Sequence, residues 1–287
     1  MTEVSKLEYN VLNTNGGFKM DILNILKRYE KNSIGFNITA GEDLLPGCTR
    51  FGGQPDAPSD FVWPEFNGQP LAFLAQFNCT ALTKLDADHL LPDHGLLSFF
   101  YELETQRWGF DPDDKGCCRV FWFEDSDALA PAEFPAALKE EFQLPALGIC
   151  AFQQPSFPYG EDFDQLCPEV EFSEAAWDSA GGQEEEHRLL GWPDTIQGSM
   201  AVECDVVSQG YWMGGGGDPH PPIPDEVLTN AMETAGDRWA LLLQLGHVTY
   251  GERELMFGDM GRIYFYIQKE DLAARRFDRV WLVLQCY

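Results

Sequence analysis

Apolar residues in this chain fall into short runs separated by Gly- and Pro-rich turns, a pattern that favours strands over long helices. Within 20–31, Ile22, Leu23, Ile25, Leu26 and Tyr29 recur at helical spacing, with Lys27 and Arg28 near the C-terminal end where they suit the helix dipole; a short amphipathic helix is expected. Gly47, Gly52, Gly53, Pro55, Pro58, Pro64, Gly68 and Pro70 then crowd 41–70, which disallows long regular structure. The runs at 71–77, 95–101 and 119–123 are short, apolar and bounded by turn signals, as expected of successive buried strands. Helix signals follow at 131–142 and 172–177. In the second half, strands are expected at 239–244, 262–267 and 280–284, with a short helix at 269–276. Gly214 to Gly217 run into Asp218-Pro-His-Pro-Pro-Ile-Pro224, a loop flexible at one end and stiff at the other.

Two stretches share an order of features. Gly68-Gln-Pro-Leu-Ala-Phe-Leu-Ala-Gln76 and Gly236-Asp-Arg-Trp-Ala-Leu-Leu-Leu-Gln244 place Gly, Ala, Leu and Gln at identical offsets. Each is followed by a glycine opening an aromatic strand, Gly95 and Gly261, and then by Arg119-Val-Phe-Trp-Phe or Arg279-Val-Trp-Leu-Val. Upstream, Trp63-Pro64 matches Trp192-Pro193. The expectation is an α+β fold of two similar antiparallel or mixed sheet units from an internal duplication, with short flanking helices. Its parts are a lead-in with a helix at 1–45, a first unit at 46–187 carrying an acidic insertion, and a second unit at 188–287, forming one body. Gln76 and Gln244 each end an apolar strand, and an unpartnered buried amide costs about 1–3 kcal/mol, so each must meet loop backbone or a shared cleft.

Charge changes the picture. Of 287 residues 47 are acidic and 19 are Lys or Arg, a net charge of −28, yet 44% are hydrophobic, too many for a disordered acidic tail. Such a field repels phosphate backbones and anionic lipids, so neither nucleic acid nor membrane is an expected partner; a basic protein is the better candidate, the alternative being that the acidic surface only keeps the chain soluble. The acidity is regional: residues 102–186 hold 21 acidic against four basic residues. No run approaches the ~20 apolar residues of a membrane span, and Met1 to Asn10 is too polar for a signal peptide, so a cytoplasmic location is expected. The eight cysteines are scattered rather than dense, which reads as reduced thiols.

Motifs for chemistry are missing. No phosphate-binding Gly-x-x-x-x-Gly-Lys-Ser/Thr occurs, Pro219 stands where a dinucleotide fingerprint from Gly214 and Gly216 needs glycine, and Gln197-Gly-Ser-Met-Ala201 is no hydrolase elbow. His89 and His94, beside Asp88 and Asp93, read as loop residues rather than metal ligands. No cofactor, metal or catalytic residue is assigned.

Phe51-Gly-Gly-Gln-Pro-Asp-Ala-Pro-Ser-Asp-Phe-Val-Trp-Pro64, Gly68 to Gln76, Leu91-Pro-Asp-His-Gly-Leu-Leu-Ser-Phe-Phe-Tyr101, Leu190-Gly-Trp-Pro-Asp-Thr-Ile-Gln-Gly198 and Gly258-Asp-Met-Gly-Arg-Ile-Tyr-Phe265 occur in order. Through them the chain resembles the YwqG-like family, a bacterial family of unknown function, over roughly 40–287. The resemblance implies an intracellular α+β protein with duplicated sheet units and brings no catalytic residues.

Two functions are expected. The first is a non-catalytic acidic protein-binding module, such as an immunity protein that covers a basic toxin or effector. The alternative is a small-ligand-binding protein or an enzyme using a cleft between the repeats, lined by Trp63, Gln76, Trp192, Asp194, Gln197, Gln244 and Asp259, which combine aromatic surface with polar tips.

Overall fold

The apolar runs pair into one antiparallel sheet. A computed structural model describes residues 22–40, 44–182, 184–214 and 220–287, with the backbone of 12–13 and 18–19. Its ten main strands are β1 (Lys31–Thr39), β2 (Arg50–Phe51), β3 (Ala72–Asn78), β4 (Leu96–Tyr101), β5 (Cys118–Phe123), β6 (Leu147–Ser156), β7 (His187–Leu189), β8 (Trp239–Leu245), β9 (Arg262–Gln268) and β10 (Trp281–Gln285). They lie in the order β5-β4-β3-β2-β6-β1-β7-β8-β9-β10, with every neighbouring pair antiparallel. The fold is α+β, and no parallel pairing occurs among the described residues.

The central pair, β6 and β1, joins along nine residues, from Gly148 opposite Thr39 to Ser156 opposite Lys31. β1 falls inside the expected lead-in and was not foreseen as a strand. Its alternating Ile34, Phe36 and Ile38 sit among polar neighbours, and the chain buries only the stretch from Ser33 to Phe36. The boundary expected between 187 and 188 cuts through β7.

The sheet curls until its ends approach. Phe99 of β4 meets Phe265 of β9 edge to face at 5.3 Å, although several strands separate them in the sheet. The loop after β4 closes the remaining gap: Trp108 O accepts from Leu284 N at 2.9 Å, and Gly109 O accepts from the Trp281 indole at 2.8 Å. A Cβ at Gly109 would lie 1.8 Å from Leu282 O. One apolar cluster therefore spans both halves.

Seven helices flank the sheet among the described residues: α1 (Ile22–Arg28), α2 (Cys79–Leu82), α3 (Glu161–Leu166), α4 (Glu174–Ala180), α5 (Ala201–Ser208), α6 (Asp225–Arg238) and α7 (Lys269–Ala273). α5 and α6 cover β8, β9 and β10 through Cys204, Val207 and Ala235, while α1, α3 and α4 share a satellite cluster around Trp177. None is long and apolar enough to cross a membrane. The helix expected at 131–142 does not form; Pro131 and Pro135 interrupt it, leaving a bridge at Ala130–Pro131 and a single 3-10 turn at Glu140–Phe142. The helix expected at 172–177 starts two residues later, with the Ser173 hydroxyl accepting from Ala176 N at 3.3 Å. Of the glycine-rich loop, 215–219 lie outside the described residues.

From the central pair outward, β2-β3-β4-β5 and β7-β8-β9-β10 follow the same order along the chain. Both carry a bulge two residues before the key glutamine, between Phe73 and Ala75 and between Leu241 and Leu243. The bulged Leu74 O accepts from Gly52 N at 2.8 Å, and Leu242 O from Leu190 N at 3.3 Å. This places Arg50-Phe-Gly-Gly-Gln-Pro-Asp56 opposite Arg188-Leu-Leu-Gly-Trp-Pro-Asp194. Trp192-Pro193 therefore stands level with Gln54-Pro55, not with Trp63-Pro64 as the sequence comparison had it. The outer strands are shifted too: Ser98 pairs with Phe121 and Tyr264 with Val283, so Arg119 is level with Trp281 rather than Arg279.

Candidate functional site

Each half buries an Arg–Asp–Gln network at its heptapeptide. In the first, Arg50 donates to Asp56 Oδ2 at 2.6 Å and to Gln54 O; Gln76 Oε1 accepts from Asp56 N at 3.0 Å, and its amide donates to Asp56 Oδ2 at 2.6 Å and Cys48 O at 2.9 Å. In the second, Arg188 donates to Asp194 Oδ2 at 2.6 Å and to Trp192 O at 2.8 Å; Gln244 Oε1 accepts from Asp194 N at 2.9 Å, and its amide donates to Glu185 O. Both glutamines are fully buried, and each satisfies its own loop backbone rather than facing a common cleft. Burial raises the Asp56 carboxyl, but the hydrogen bonds from Arg50, Gln76 and Gly47 outweigh it and hold the group below the ordinary carboxylate range. At Asp194 burial wins over Arg188, and the carboxyl is pushed up.

The two turns differ in what lies above them. Gly52 and Gly53 adopt φ of +58° and +72°, and Pro145 O closes over the first, 2.2 Å from where a Cβ would stand. Leu190 and Gly191 adopt nearly the same φ, +60° and +77°; a Cβ at Gly191 would meet Ser156 Oγ at 2.3 Å, yet both residues line a cavity of about 530 Å³. Leu190, Leu241, Leu272 and Ala240 supply an apolar floor; Lys31, Lys269 and Arg275 bring positive charge; Asp88, His89 and Leu90 form a rim from the first half. Asp88 is the sole carboxylate in the lining among the described residues.

The second turn also fixes the cavity's buried edge. Trp192 is held by its backbone N–H to Ser156 Oγ at 2.9 Å and by its indole N–H to Tyr29 O at 2.6 Å, and the Lys31 ammonium rests on its ring, 3.2 Å from the centroid. Burial and neighbouring Lys269 push Lys31 down to about 8, against the pull of Asp162 and Asp237. Arg275 ties the rim in place, donating to Leu90 O at 2.6 Å and Leu91 O at 3.1 Å. Neither Lys31 nor Lys269 has a carboxylate within 4.0 Å among the described residues, although the chain carries 47 acidic side chains. Among the described residues six non-glycine residues have positive φ, and three of them, His89, Leu190 and Arg275, line this cavity.

Of the seven residues expected to line a cleft, none is in that lining. Asp194 and Gln244 share the second network, and Gln76 belongs to the first. Trp63 packs on Phe100 and Phe134 and donates to Leu71 O at 2.8 Å. Trp192 backs the cavity through Lys31. Gln197 is exposed, its N–H bonded to Gln285 Oε1 at 3.0 Å, and Asp259 is exposed at the turn that meets Tyr287 N. Sequence reasoning missed Lys31, Lys269 and Arg275, which come from separate segments without a motif; the available signal was the repeated Arg-x-x-Gly-x-Pro-Asp, whose second copy shapes the floor. No group of three or more His, Cys, Asp or Glu is arranged to hold a metal among the described residues.

A family profile described as a domain of unknown function (DUF1963) matches residues 49–286. No curated protein matches the chain. The matched stretch starts just before Arg50, the first arginine of the paired networks, and runs through β10, so the chain belongs to the DUF1963 family.

Proposed function

We propose that the protein binds a small organic anion with an apolar body in the cavity between its halves. The observation that carries this reading is a pair of lysines without carboxylate partners among the described residues, beside a leucine floor, in a chain whose net charge is −28. A cavity of this size falls in the usual range for small-molecule sites, roughly 300–1,000 Å³. Leaving cations unpaired amid so many carboxylates costs attraction that a bound anion restores. The left-handed His89, Leu190 and Arg275 support the reading, since backbone strain of this kind persists where the surroundings over-determine it and gathers at ligand sites. Calorimetric titration with 4-methylpentanoate and with its neutral amide tests it. The carboxylate should bind more tightly by about tenfold or more, and Leu241→Trp, which fills the floor, should abolish binding; equal affinity for the two compounds, or binding unaffected by the filled floor, overturns the reading.

A second reading concerns the acidic stretch. Sixteen of its 21 carboxylates are exposed, which favours a docking surface for a basic protein such as a toxin or effector. Recovery of a basic partner whose affinity falls with salt, and falls again when exposed carboxylates of 102–186 are neutralised, is the expected result; salt-independent association would remove the electrostatic basis. We also infer that the halves descend from one duplicated unit and that the chain is YwqG-like within its family. The shared strand order, bulges and heptapeptide support the first inference, and the ordered motifs from Phe51 to Phe265 the second.

A further inference from the structure

Resting on the anion-binding reading, we propose that Lys31 is a nucleophile that condenses with the carbonyl of an oxo-carboxylate held in the cavity. Three features converge on its amine. It opens β1, anchored where Ser156 Oγ accepts from Trp192 N and donates to Lys31 O, so the strand and the tryptophan fix one another. Its Nζ lies on the Trp192 face, without a carboxylate within 4.0 Å among the described residues, beside the leucine floor. Lys269 of α7 lines the same cavity, and its charge disfavours a second cation there.

An amine in this setting loses its proton more readily than an exposed lysine, whose charged form water solvates. The neutral nitrogen attacks the carbonyl carbon, and the carbonyl π electrons move to oxygen, which takes a proton to give a carbinolamine. The nitrogen gives up one proton to leave the neutral carbinolamine; its hydroxyl is protonated and leaves as water while the nitrogen lone pair forms a carbon–nitrogen double bond, and the resulting iminium releases its N–H proton to solvent to give the imine. Amine and carbonyl become imine and water, with no oxidant or reductant needed.

Lys269 would draw the substrate carboxylate while Lys31 meets the carbonyl. A 2-oxo acid with a branched apolar tail fits the floor of Leu190, Leu241 and Leu272.

The test is reductive trapping on the full chain. The protein is incubated at pH 8 with 4-methyl-2-oxopentanoate and cyanoborohydride, digested, and each lysine's adduct, the mass of the keto acid less one oxygen, is quantified. Lys31 should label about tenfold or more faster than the exposed Lys27 and Lys84, as the larger neutral fraction requires. The Lys31→Arg variant should lose that adduct while Lys27 and Lys84 label as in the native chain, and 4-methylpentanoate, which lacks the carbonyl, should bind the native chain and leave no adduct. Labelling at Lys31 no faster than at Lys27, or preferential labelling of Lys269, overturns the assignment. If 4-methylpentanoate binds in that case, only the covalent step has failed; if it does not bind either, the anion-binding reading has failed as well.

Discussion

The Arg188 guanidinium holds the Asp194 carboxylate at 2.6 Å inside a turn seven residues long, and the backbone that this pair fixes lines the cavity. Arg188 also bonds Trp192 O, and Trp192 in turn carries Lys31 on its ring. A buried ion pair is weak evidence for stability by itself, because desolvation offsets much of the attraction. Here its consequence is positional: Leu190 and Gly191 cannot take their left-handed conformations elsewhere without breaking it.

Removing one partner of either pair leaves an uncompensated charge. Arg188→Ala and Arg50→Ala should each lower stability by about 3–5 kcal/mol, measured by denaturant unfolding. Only the Arg188 change should also weaken anion binding in the surviving folded fraction, since the first turn is capped by Pro145 whereas the second lines the cavity. Equal effects on binding would contradict the asymmetry.

His187 stacks on Phe36 at 5.4 Å and accepts from Gly246 N at 3.2 Å, and burial pushes its pKa down to about 4. The unfolded chain protonates near 6.5 while the folded imidazole stays neutral, so this residue's contribution is complete above about 6.5 and is lost as pH falls toward 4. His187→Phe should flatten the stability profile across that window; an unchanged slope would place the acid sensitivity elsewhere.

Asp162 titrates in the opposite sense. Its folded pKa of about 6 lies above the ordinary 3.8, so the folded state is favoured below about 4 and loses that advantage as pH rises through 6. Asp162→Asn should therefore gain stability relative to the native chain at pH 8, by at most roughly 3 kcal/mol, with the gain vanishing near pH 4. A gain that is the same at both pH values would point to packing rather than ionisation.

Two glycines separate backbone strain from collision. Gly68 has φ of +77° with open space beyond it, whereas Gly109 has φ of +91° and a Cβ there would strike Leu282 O. Gly68→Ala should cost about 1 kcal/mol and Gly109→Ala about 3 kcal/mol or more, with a lower thermal midpoint, because only the second forces the closing loop off β10. Matching losses would show that the loop is not a tight seam.

Much of this architecture is written locally. The strands over 72–78, 96–101, 262–268 and 281–285 follow from apolar runs bounded by Gly and Pro, and the buried glutamines announce that a strand end must be satisfied. The two Arg-x-x-Gly-x-Pro-Asp heptapeptides are equally visible, and Trp63-Pro64 drew attention from them because tryptophan is the more conspicuous residue. What the sequence determined is therefore the supply of strands, the regional acidity and the need for internal partners at Gln76 and Gln244. Tertiary structure alone decided that β1 and β6 meet at the centre of the sheet, that Pro145 seals one turn while its counterpart lines the cavity, and that Lys31, Lys269 and Arg275 converge. Those outcomes depend on strand order and on contacts between residues more than a hundred positions apart, such as Arg275 with Leu90, and such distances leave no periodicity to read.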